Sequence, residues 1–224
     1  FGKGREQTIL DGDSWVNALT PLIAGMLPVV GTSTFLLMIS EQLRRQWEHA
    51  ASTDHLTGLS NRRTLTDAGA IRIDQARREQ FGLAVAIIDV DHFKSINDRF
   101  GHDVGDLALK HVAERLRAAC RENDLPARQG GEEFVVIFSR ADATQATAAA
   151  ERIRQQLEST PFVGGPTPLT ITASIGLAVM TQPDDDLDAL IHRADEALYR
   201  AKHAGRNRVL LWSAPAAQPQ AVPA

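Results

Sequence analysis

The segment that decides the fold is Arg128-Gln129-Gly130-Gly131-Glu132-Glu133-Phe134-Val135-Val136-Ile137-Phe138, in which two glycines and two glutamates precede an apolar run. Gly-Gly suits a tight hairpin turn because glycine tolerates positive φ and has no Cβ to obstruct a ligand. Two adjacent carboxylates beside such a turn repel each other unless a cation lies between them. The segment therefore predicts a metal site on a β-hairpin, open to a phosphate. The alternative is a solvated turn with two surface glutamates.

A second acidic segment follows the apolar run 83–88. This run has no polar face, which is typical of a central strand covered on both sides. Asp89 and Asp91 come next and share a face if the strand continues. A carboxylate at the end of a buried strand is a common oxygen ligand for Mg²⁺. The polar stretch 95–106 predicts a ligand-binding turn, or else an N-cap-rich loop that opens the next helix.

Length and composition exclude several classes of protein. The 224 residues suffice for one good-sized core plus appendages. A net charge of −4 gives no general case for nucleic-acid binding. The one cysteine, Cys120, rules out an internal disulfide and a cysteine zinc site, and it fits a reducing cytosol. The sequence contains no Gly-x-x-x-x-Gly-Lys-Ser/Thr loop, which argues against a P-loop NTPase.

The amino-terminal segment 1–40 has a different character. Residues 14–40 carry no charge, and the apolar run is long enough to cross a bilayer, which takes about 20 residues. Arg44 and Arg45 follow, so the positive-inside tendency puts the rest of the chain in the cytoplasm. We predict a transmembrane helix at about 15–40 and a location at the inner (cytoplasmic) membrane. The alternative is a buried helix or sensor remnant of a soluble protein.

The segments on either side of the main domain are short. Residues 41–52 predict a helical connector, because Leu36, Leu43 and Ala50 are spaced by seven and Trp47 extends this apolar seam. A single helix packed on the next domain is the alternative. Residues 213–224 are mostly Ala, Pro and Gln and predict a disordered tail. The start at Phe1, in mid-pattern and without Met, indicates a fragment of a longer, multi-span receptor.

The part between them, 53–212, shows an alternation of helical and strand patterns. The patterns predict helices at about 62–80, 105–119, 144–158 and 187–204. They predict strands at 83–89, on either side of the Gly-Gly turn, at 169–179 and at 208–212. Hairpin and crossover connections together imply a mixed sheet with helices packed against it.

With these motifs in this order, the chain resembles a GGDEF-domain diguanylate cyclase in the Gly-Gly-Glu-Glu-Phe variant of the signature. The resemblance covers 53–212 and rests on Asp54–Arg63, Asp89–Asp106, Gly130–Phe134, Thr172–Gly176 and Asp195–Asn207. Gln129 departs from the aromatic or aliphatic residue more usual there. The resemblance implies an α/β (α+β) fold: a palm-like, mixed, largely antiparallel five-stranded sheet flanked by helices. It also implies the carboxy-terminal part of a membrane-bound sensor.

The reaction that the resemblance implies is the condensation of two GTP into cyclic di-GMP, with release of two pyrophosphates. Mg²⁺ is the implied cofactor, with Mn²⁺ as the alternative, held by Asp89, the Val90 carbonyl, Glu132 and Glu133. One of the two glutamates would also help to deprotonate the attacking hydroxyl, and Glu132 is the first candidate. The division of the metal-binding and proton-accepting roles between Glu132 and Glu133 stays open. Since each domain has one nucleotide site and the product is two-fold symmetric, a homodimer is expected.

The resemblance also implies how the substrate is bound. Asn97 and Asp106 match the family's guanine-binding positions. An aspartate suits guanine because it accepts hydrogen bonds from both N1–H and N2–H₂, whereas adenine offers no such donor pair. The other implied substrate contacts are Lys94, His102, Gly130, Gly131, Lys202 and Arg206. For Lys94 and Lys202 the alternative is a solvated charge on a helix.

A separate motif, Arg121-Glu122-Asn123-Asp124, precedes the Gly-Gly turn at the offset of the family's product-inhibition site. The resemblance implies that Arg121 and Asp124 bind cyclic di-GMP as an inhibitor, with Arg152 completing the site from a neighbouring subunit. An arginine fork binds guanine edges and phosphates well. The alternative is an ordinary ion pair in a loop.

Three functional hypotheses remain at the level of sequence. The first is an active, membrane-tethered diguanylate cyclase. The second is a non-catalytic receptor for GTP or cyclic di-GMP, against which the intact Asp89, Glu132 and Glu133 argue. The third is a cyclase with altered base choice, such as a hybrid dinucleotide synthase, against which Asp106 argues.

Overall fold

The structure, a computed structural model, describes residues 19, 24–26, 28, 30–42, 52–182 and 185–214. The chain divides into two compact units, Phe1–Ala51 and Ser52–Ala224. In the first unit, helix α1 (Ala24–Gln42) is long and apolar enough to cross a membrane, by length and composition. Its apolar side chains, such as those of Phe35 and Leu36, are exposed. The predicted seam beyond residue 42 and the tail beyond residue 214 lie outside the described residues.

The described residues of the second unit form six strands and five helices. The strands are β1 (Ser60–Asn61), β2 (Leu83–Val90), β3 (Leu125–Gly130), β4 (Glu133–Ser139), β5 (Ala173–Val179) and β6 (Val209–Leu211). The helices are α2 (Arg62–Glu79), α3 (Phe93–Phe100), α4 (His102–Ala119), α5 (Ala143–Ser159) and α6 (Leu187–His203).

The strands form one mixed sheet in the order β1-β3-β4-β2-β5-β6. The inner pairs β3–β4, β4–β2 and β2–β5 are antiparallel, whereas the edge pairs β1–β3 and β5–β6 are parallel. The predicted mixed, largely antiparallel sheet is confirmed. The predicted number of five strands is wrong for the described residues, which form six. The extra strand, β1, is two residues long and therefore too short to show a period-2 pattern.

Strand β2 is the centre of the unit because all eight of its residues are buried. Alternate β2 side chains face opposite sides of the sheet. One side packs against α4 and α5 through a cluster that includes Ala86, Ile88, Leu109, Val112 and Ile153. The other side packs against α2 and α6 through a cluster that includes Val85, Ile87, Leu65, Leu190 and Leu198. Each large side chain buried in this way stabilises the fold by about 1.5–3 kcal/mol. The sheet therefore holds the end of β2 in a fixed place.

The segment between β2 and α4 differs from its prediction as a turn or capping loop. It contains a helix of its own, α3, which Gly101 separates from α4 with φ of +85°. Phe93 is buried and Ile96 packs on the core, so an i, i+3 apolar pair fixes the helix within an otherwise polar stretch. The strand predicted from residue 169 begins only at Ala173, because Leu169 pairs with Phe162 in an isolated bridge.

Close packing of α6 on the sheet depends on Gly176 in β5. A Cβ at this position would overlap the carbonyl oxygen of Ala194 and the backbone of Leu198. We expect Gly176→Ala to lower the free energy of unfolding by about 3 kcal/mol, because backbone has to move. Gly165→Ala is the matched control, since the added Cβ would make only ordinary contacts there. Urea denaturation measures both, and equal stability of the two variants would contradict the packing described here.

Candidate functional site

The carboxyl end of β2 and the β3–β4 hairpin bring three acidic residues together. Asp89 pairs with Glu133 in the β2–β4 register, and directly opposed residues on antiparallel strands have neighbouring side chains. The Val90 amide donates to the Glu132 carbonyl oxygen at 3.4 Å. Asp89, Glu132 and Glu133, which the sequence proposed as one group, therefore lie at the same end of the sheet.

The acidic cluster is short of positive charge. Asp89 is 6% exposed, and the Lys202 ammonium lies 2.8 Å from its Oδ2. Burial raises the pKa of Asp89, Asp91 adds to this, and the Lys202 and Arg206 charges oppose it without cancelling it. Burial also raises the pKa of Glu132, with Asp89 and Glu133 acting in the same direction against Lys202. A further cation would be stabilised here.

The donor types fit a divalent cation. Carboxylate and carbonyl oxygens are the ligands that Mg²⁺ prefers, and the pKa values of Asp89 and Glu132 stay raised, chiefly by burial, although Lys202 opposes both shifts. The side chains do not form a complete ligand set as placed: among the described residues, no group of three or more His, Cys, Asp or Glu side chains is arranged to hold a metal ion. Lys202 is the cation in contact with Asp89.

The glycine turn of the hairpin offers an open backbone surface. Gly130 has φ of +152° and Gly131 has φ of +54°, conformations that suit glycine. A Cβ built on either residue would meet no atom within 4 Å. The strand register shifts between Arg128 and Gly130, which turns the chain away from the regular ladder. A ligand can therefore approach the turn without obstruction by side chains.

Arg128 fixes this turn through side-chain hydrogen bonds, a role that the sequence analysis missed. Its Nε and Nη2 donate to the Gly131 carbonyl oxygen at 3.1 and 2.7 Å, and its Nη1 donates to Asp54 Oδ1 at 3.1 Å. Asp54 also accepts from the Thr57 amide and hydroxyl. Burial alone would raise the pKa of Asp54, but the Thr57 hydrogen bonds and Arg128 outweigh it and hold that pKa below its usual range. Arg128 and Asp54 both lie within the segments quoted from the sequence. Their pairing was missed because they are 74 positions apart.

A second pair, Asn97 on α3 and Asp106 on α4, is brought together by the helix crossing. Asn97 Oδ1 packs so closely on Gly105 that a Cβ there would overlap it, and Asp106 is the next residue. This Oδ1 is buried and has no hydrogen-bond partner. An unsatisfied buried acceptor costs about 1–3 kcal/mol, so it favours a ligand that donates. His102 lies one turn before Asp106 on α4.

The predicted basic residues lie at two places. Lys94 is exposed in the first turn of α3. Lys202 is near the end of α6 and Arg206 lies beyond it, with φ of +60°. Both of the latter act electrostatically on Asp89. The structure thus joins Lys202 and Arg206 to the acidic cluster, and it gives no such contact for Lys94.

The Arg121–Asp124 motif forms a separate turn at the end of α4. Asp124 is buried, and its Oδ2 accepts from the Arg121 backbone amide at 2.8 Å, so the contact is not a side-chain ion pair. Arg152 on α5 donates to the Ala119 carbonyl oxygen at 2.7 Å in the same chain. Arg121, Asp124 and Arg152 are therefore close to the same helix end. Arg121 has its side chain exposed.

Comparison with known proteins gives consistent matches. The family model described as "Diguanylate cyclase, GGDEF domain" matches residues 51–208. The response regulator PleD of Caulobacter vibrioides is 42% identical over 176 residues, 76% of this chain and 39% of its own length. The diguanylate cyclase DosC of Escherichia coli is 39% identical over 183 residues, 81% of this chain and 40% of its own length. The chain thus spans about 40% of the length of these relatives.

Solved structures agree with this match. The GGDEF domain of DgcB from Caulobacter crescentus, in complex with c-di-GMP, superposes with a TM-score of 0.69 at 34% identity. The alignment covers 73% of this chain and 94% of that domain. The active GGEEF domain of a diguanylate cyclase from Vibrio cholerae gives 0.66 at 34% identity, covering 70% of this chain and 99% of that one.

The anchoring of the glycine turn leads to a prediction. We expect Arg128→Met to lower the free energy of unfolding by about 2 kcal/mol, because charge-assisted hydrogen bonds are lost, and to speed amide exchange at residues 130–133. Arg63→Met, which removes an exposed ion pair, should change little. Chemical denaturation and hydrogen exchange measure these effects.

The pH dependence of the same pair has a definite sign. Because the pKa of Asp54 is lowered in the fold, its stabilising contribution is present above the ordinary aspartate pKa and is lost as the pH falls through the lowered value. The stability difference between wild type and Arg128→Met should therefore shrink on acidification. A difference that is independent of pH would show that Arg128 acts without Asp54.

Proposed function

Since the chain belongs to the family of GGDEF-domain diguanylate cyclases, we propose that its second unit condenses two GTP into cyclic di-GMP and releases two pyrophosphates. The observation that carries this proposal is the open Gly130–Gly131 turn beside the buried Asp89 carboxylate. A turn without side chains admits a triphosphate, and a cluster of carboxylates whose negative charge Lys202 offsets only in part favours the metal ion that accompanies it.

In this proposal, base recognition belongs to Asn97 and Asp106. The unpartnered Oδ1 of Asn97 and the carboxylate of Asp106 accept hydrogen bonds from the N1–H and N2–H₂ groups of guanine. Adenine has no such donor pair, so these acceptors would remain unpaired with ATP. His102, on the same helix, and Lys94, on α3, are additional substrate contacts.

Phosphate binding belongs to the basic residues and the glycine turn. Lys202 forms an ion pair with Asp89, the charge of Arg206 also acts on this carboxylate, and positioned cations offset the charge that develops during phosphoryl transfer. Asp89, Glu132, Glu133 and the Val90 carbonyl would hold Mg²⁺, or Mn²⁺ in its place. The bound ion supplies charge neutralisation on the phosphates and a lowered pKa of the attacking hydroxyl.

The chemistry is an exchange of phosphorus–oxygen bonds. The 3′-oxygen of each GTP forms a bond to the α-phosphorus of the other, and at each α-phosphorus the bond to the bridging oxygen breaks, so that two pyrophosphates leave. The hydroxyl proton passes to a carboxylate. Glu132 suits this role because burial and its acidic neighbours raise its pKa. Glu133 is the other candidate acceptor.

Two copies must meet, because the reaction joins two nucleotides into a two-fold symmetric product. We propose a homodimer in which the Gly-Gly hairpins face each other. The connector 41–52 and the preceding apolar helix α1 would hold the copies close, and a short tether supplies an effective concentration on the order of millimolar. With α1 in the inner (cytoplasmic) membrane, the catalytic domain would lie in the cytoplasm.

Product inhibition is the second proposed property. The turn that holds Arg121 and Asp124 lies at the end of α4. The exposed guanidinium of Arg121 can bind a guanine edge or a phosphate of cyclic di-GMP. Arg152 would complete the site, contributed by a neighbouring subunit.

Removing a proposed metal ligand should abolish synthesis. Asp89→Asn and Glu133→Gln should each lower the rate of cyclic di-GMP formation at least about a hundredfold, with the far-UV circular dichroism spectrum unchanged. Glu114→Gln, on the exposed face of α4, is the control. Chromatography of products from Mg²⁺ and GTP measures the rate. Near-normal rates in either variant would reject the assigned ligands, and GTP binding by a wild type that forms no product would favour the non-catalytic receptor.

Base selectivity should depend on Asp106. We expect Asp106→Ala to reduce the preference for GTP over ATP by at least about tenfold, because the acceptor of the guanine donors is removed. Asp103→Ala, which removes another acidic side chain one turn away on α4, should leave the preference for GTP unchanged. Competition binding of the two nucleotides measures it. Unaltered selectivity in Asp106→Ala would reject the guanine-binding role.

Inhibition by product should depend on Arg121. We expect Arg121→Ala to raise the half-inhibitory concentration of added cyclic di-GMP about tenfold or more, with the initial rate preserved, since the motif is separate from the acidic cluster. Arg78→Ala, an exposed arginine at the end of α2, is the control. Equal inhibition of wild type and Arg121→Ala would leave the motif as an ordinary loop contact.

A further inference from the structure

The loop after α6 has an unusual backbone. Arg206 and Asn207 have φ of +60° and +44°, both in the left-handed region. Residues other than glycine pay for this conformation, by about 1–3 kcal/mol in strained cases, although asparagine tolerates it better than most. Such a conformation persists only where neighbouring groups fix it.

Asn207 is fixed at three points. Its backbone amide donates to Asp91 Oδ2 at 3.0 Å. Its side-chain Nδ2 donates to Glu158 Oε1 at 2.8 Å, and its Oδ1 accepts from Arg154 Nη1 at 2.8 Å. The first contact comes from the end of β2, and the other two come from α5.

Both supports of Asn207 are themselves held. Asp91 is buried, and its oxygens also accept from the hydroxyls of Thr172 at 2.8 Å and Ser174 at 2.7 Å. Arg154, whose side chain is 13% exposed, forms ion pairs with Glu151 and Glu158 at 2.7 Å. Asn207 therefore links the strand that bears Asp89 to an ionic network on α5.

The hydrogen bonds of Asn207 also restrict the backbone of its neighbour, Arg206. Its amide donates to the Ala201 carbonyl oxygen at 3.1 Å, so the loop is also tied to the end of α6. Its guanidinium acts on the Asp89 carboxylate together with Lys202. With the backbone fixed on both sides of its Cα, the direction in which the Arg206 side chain leaves the backbone is set.

We infer that Asn207 is a positioning residue, which holds the backbone of the 204–208 loop between Asp91 and the Arg154–Glu158 pair so that Arg206 faces the nucleotide phosphates. This inference rests on the proposed function, because it takes the ligand at Arg206 to be the triphosphate of GTP. Loss of Asn207 weakens phosphate binding through Arg206. A purely structural role would lower stability without any such dependence on Arg206.

The test is a double-mutant cycle with Asn207→Gly and Arg206→Ala. Glycine accepts the φ of +44° and keeps the backbone amide bonded to Asp91, so this variant removes only the side-chain contacts to α5. The probe is 3′-deoxy-GTP with Mg²⁺, which lacks the attacking hydroxyl and binds without condensation. Calorimetry measures its dissociation constant for the full chain, and thermal unfolding is followed in parallel.

We expect Asn207→Gly to weaken binding of the probe about tenfold in the wild-type background and less than about twofold in the Arg206→Ala background. Arg154→Met should show the same dependence on Arg206, because it removes the donor to Asn207 Oδ1. Arg200→Ala, an exposed arginine on α6, should have no effect. In steady-state assays, Asn207→Gly should raise KM for GTP more than it lowers kcat.

The outcomes separate the two levels of the proposal. Binding of the probe to wild type with additive losses in the cycle would overturn the positioning role and leave the proposed function in place. The same holds if Asn207→Gly lowers the unfolding temperature without changing the dissociation constant. Absence of binding to wild type would overturn the proposed function and the positioning role together.

Discussion

The site depends on a buried carboxylate at the end of the most buried strand. Asp89 follows a run of apolar residues on β2 that is covered on both faces of the sheet, and burying a charge there is unfavourable unless a cation compensates it. Lys202 supplies part of that compensation at 2.8 Å. The pKa of Asp89 remains raised, chiefly by burial. The fold thus maintains a concentration of negative charge that a bound cation would relieve, a local cost typical of functional sites.

Several other features determine the surroundings of this carboxylate. Gly130 and Gly131 leave open backbone beside Asp89. Arg128 donates hydrogen bonds to the Gly131 carbonyl oxygen and to Asp54, and so fixes the turn. Gly176 lets α6 approach β5, which brings Lys202 toward Asp89. On the other side, Asn207 links the end of β2 to α5. The site is therefore built from elements distant in sequence but supported by one sheet.

The sequence predicted what depends on local pattern. The continuous apolar run of β2, the Gly-Gly hairpin and the periodicity of α6 identified these elements to within a few residues. It missed α3, because polar residues that resemble a capping loop outnumber the apolar pair Phe93 and Ile96. It also missed Arg128 and the Asp91–Asn207 contact, whose partners are 74 and 116 positions apart. Such contacts depend on strand order, and a single sequence does not encode strand order as a periodic signal.

In the proposed reaction, each domain provides half of a catalyst for joining two GTP. The most direct measurement is the initial rate of cyclic di-GMP formation from Mg²⁺ and GTP over a wide dilution series, for the full chain and for a variant that lacks residues 1–50. We expect both proteins to form cyclic di-GMP and the specific activity of the truncated chain to fall on dilution, since two free domains must meet. Absence of cyclic di-GMP, or a specific activity independent of concentration in both proteins, would contradict this proposal.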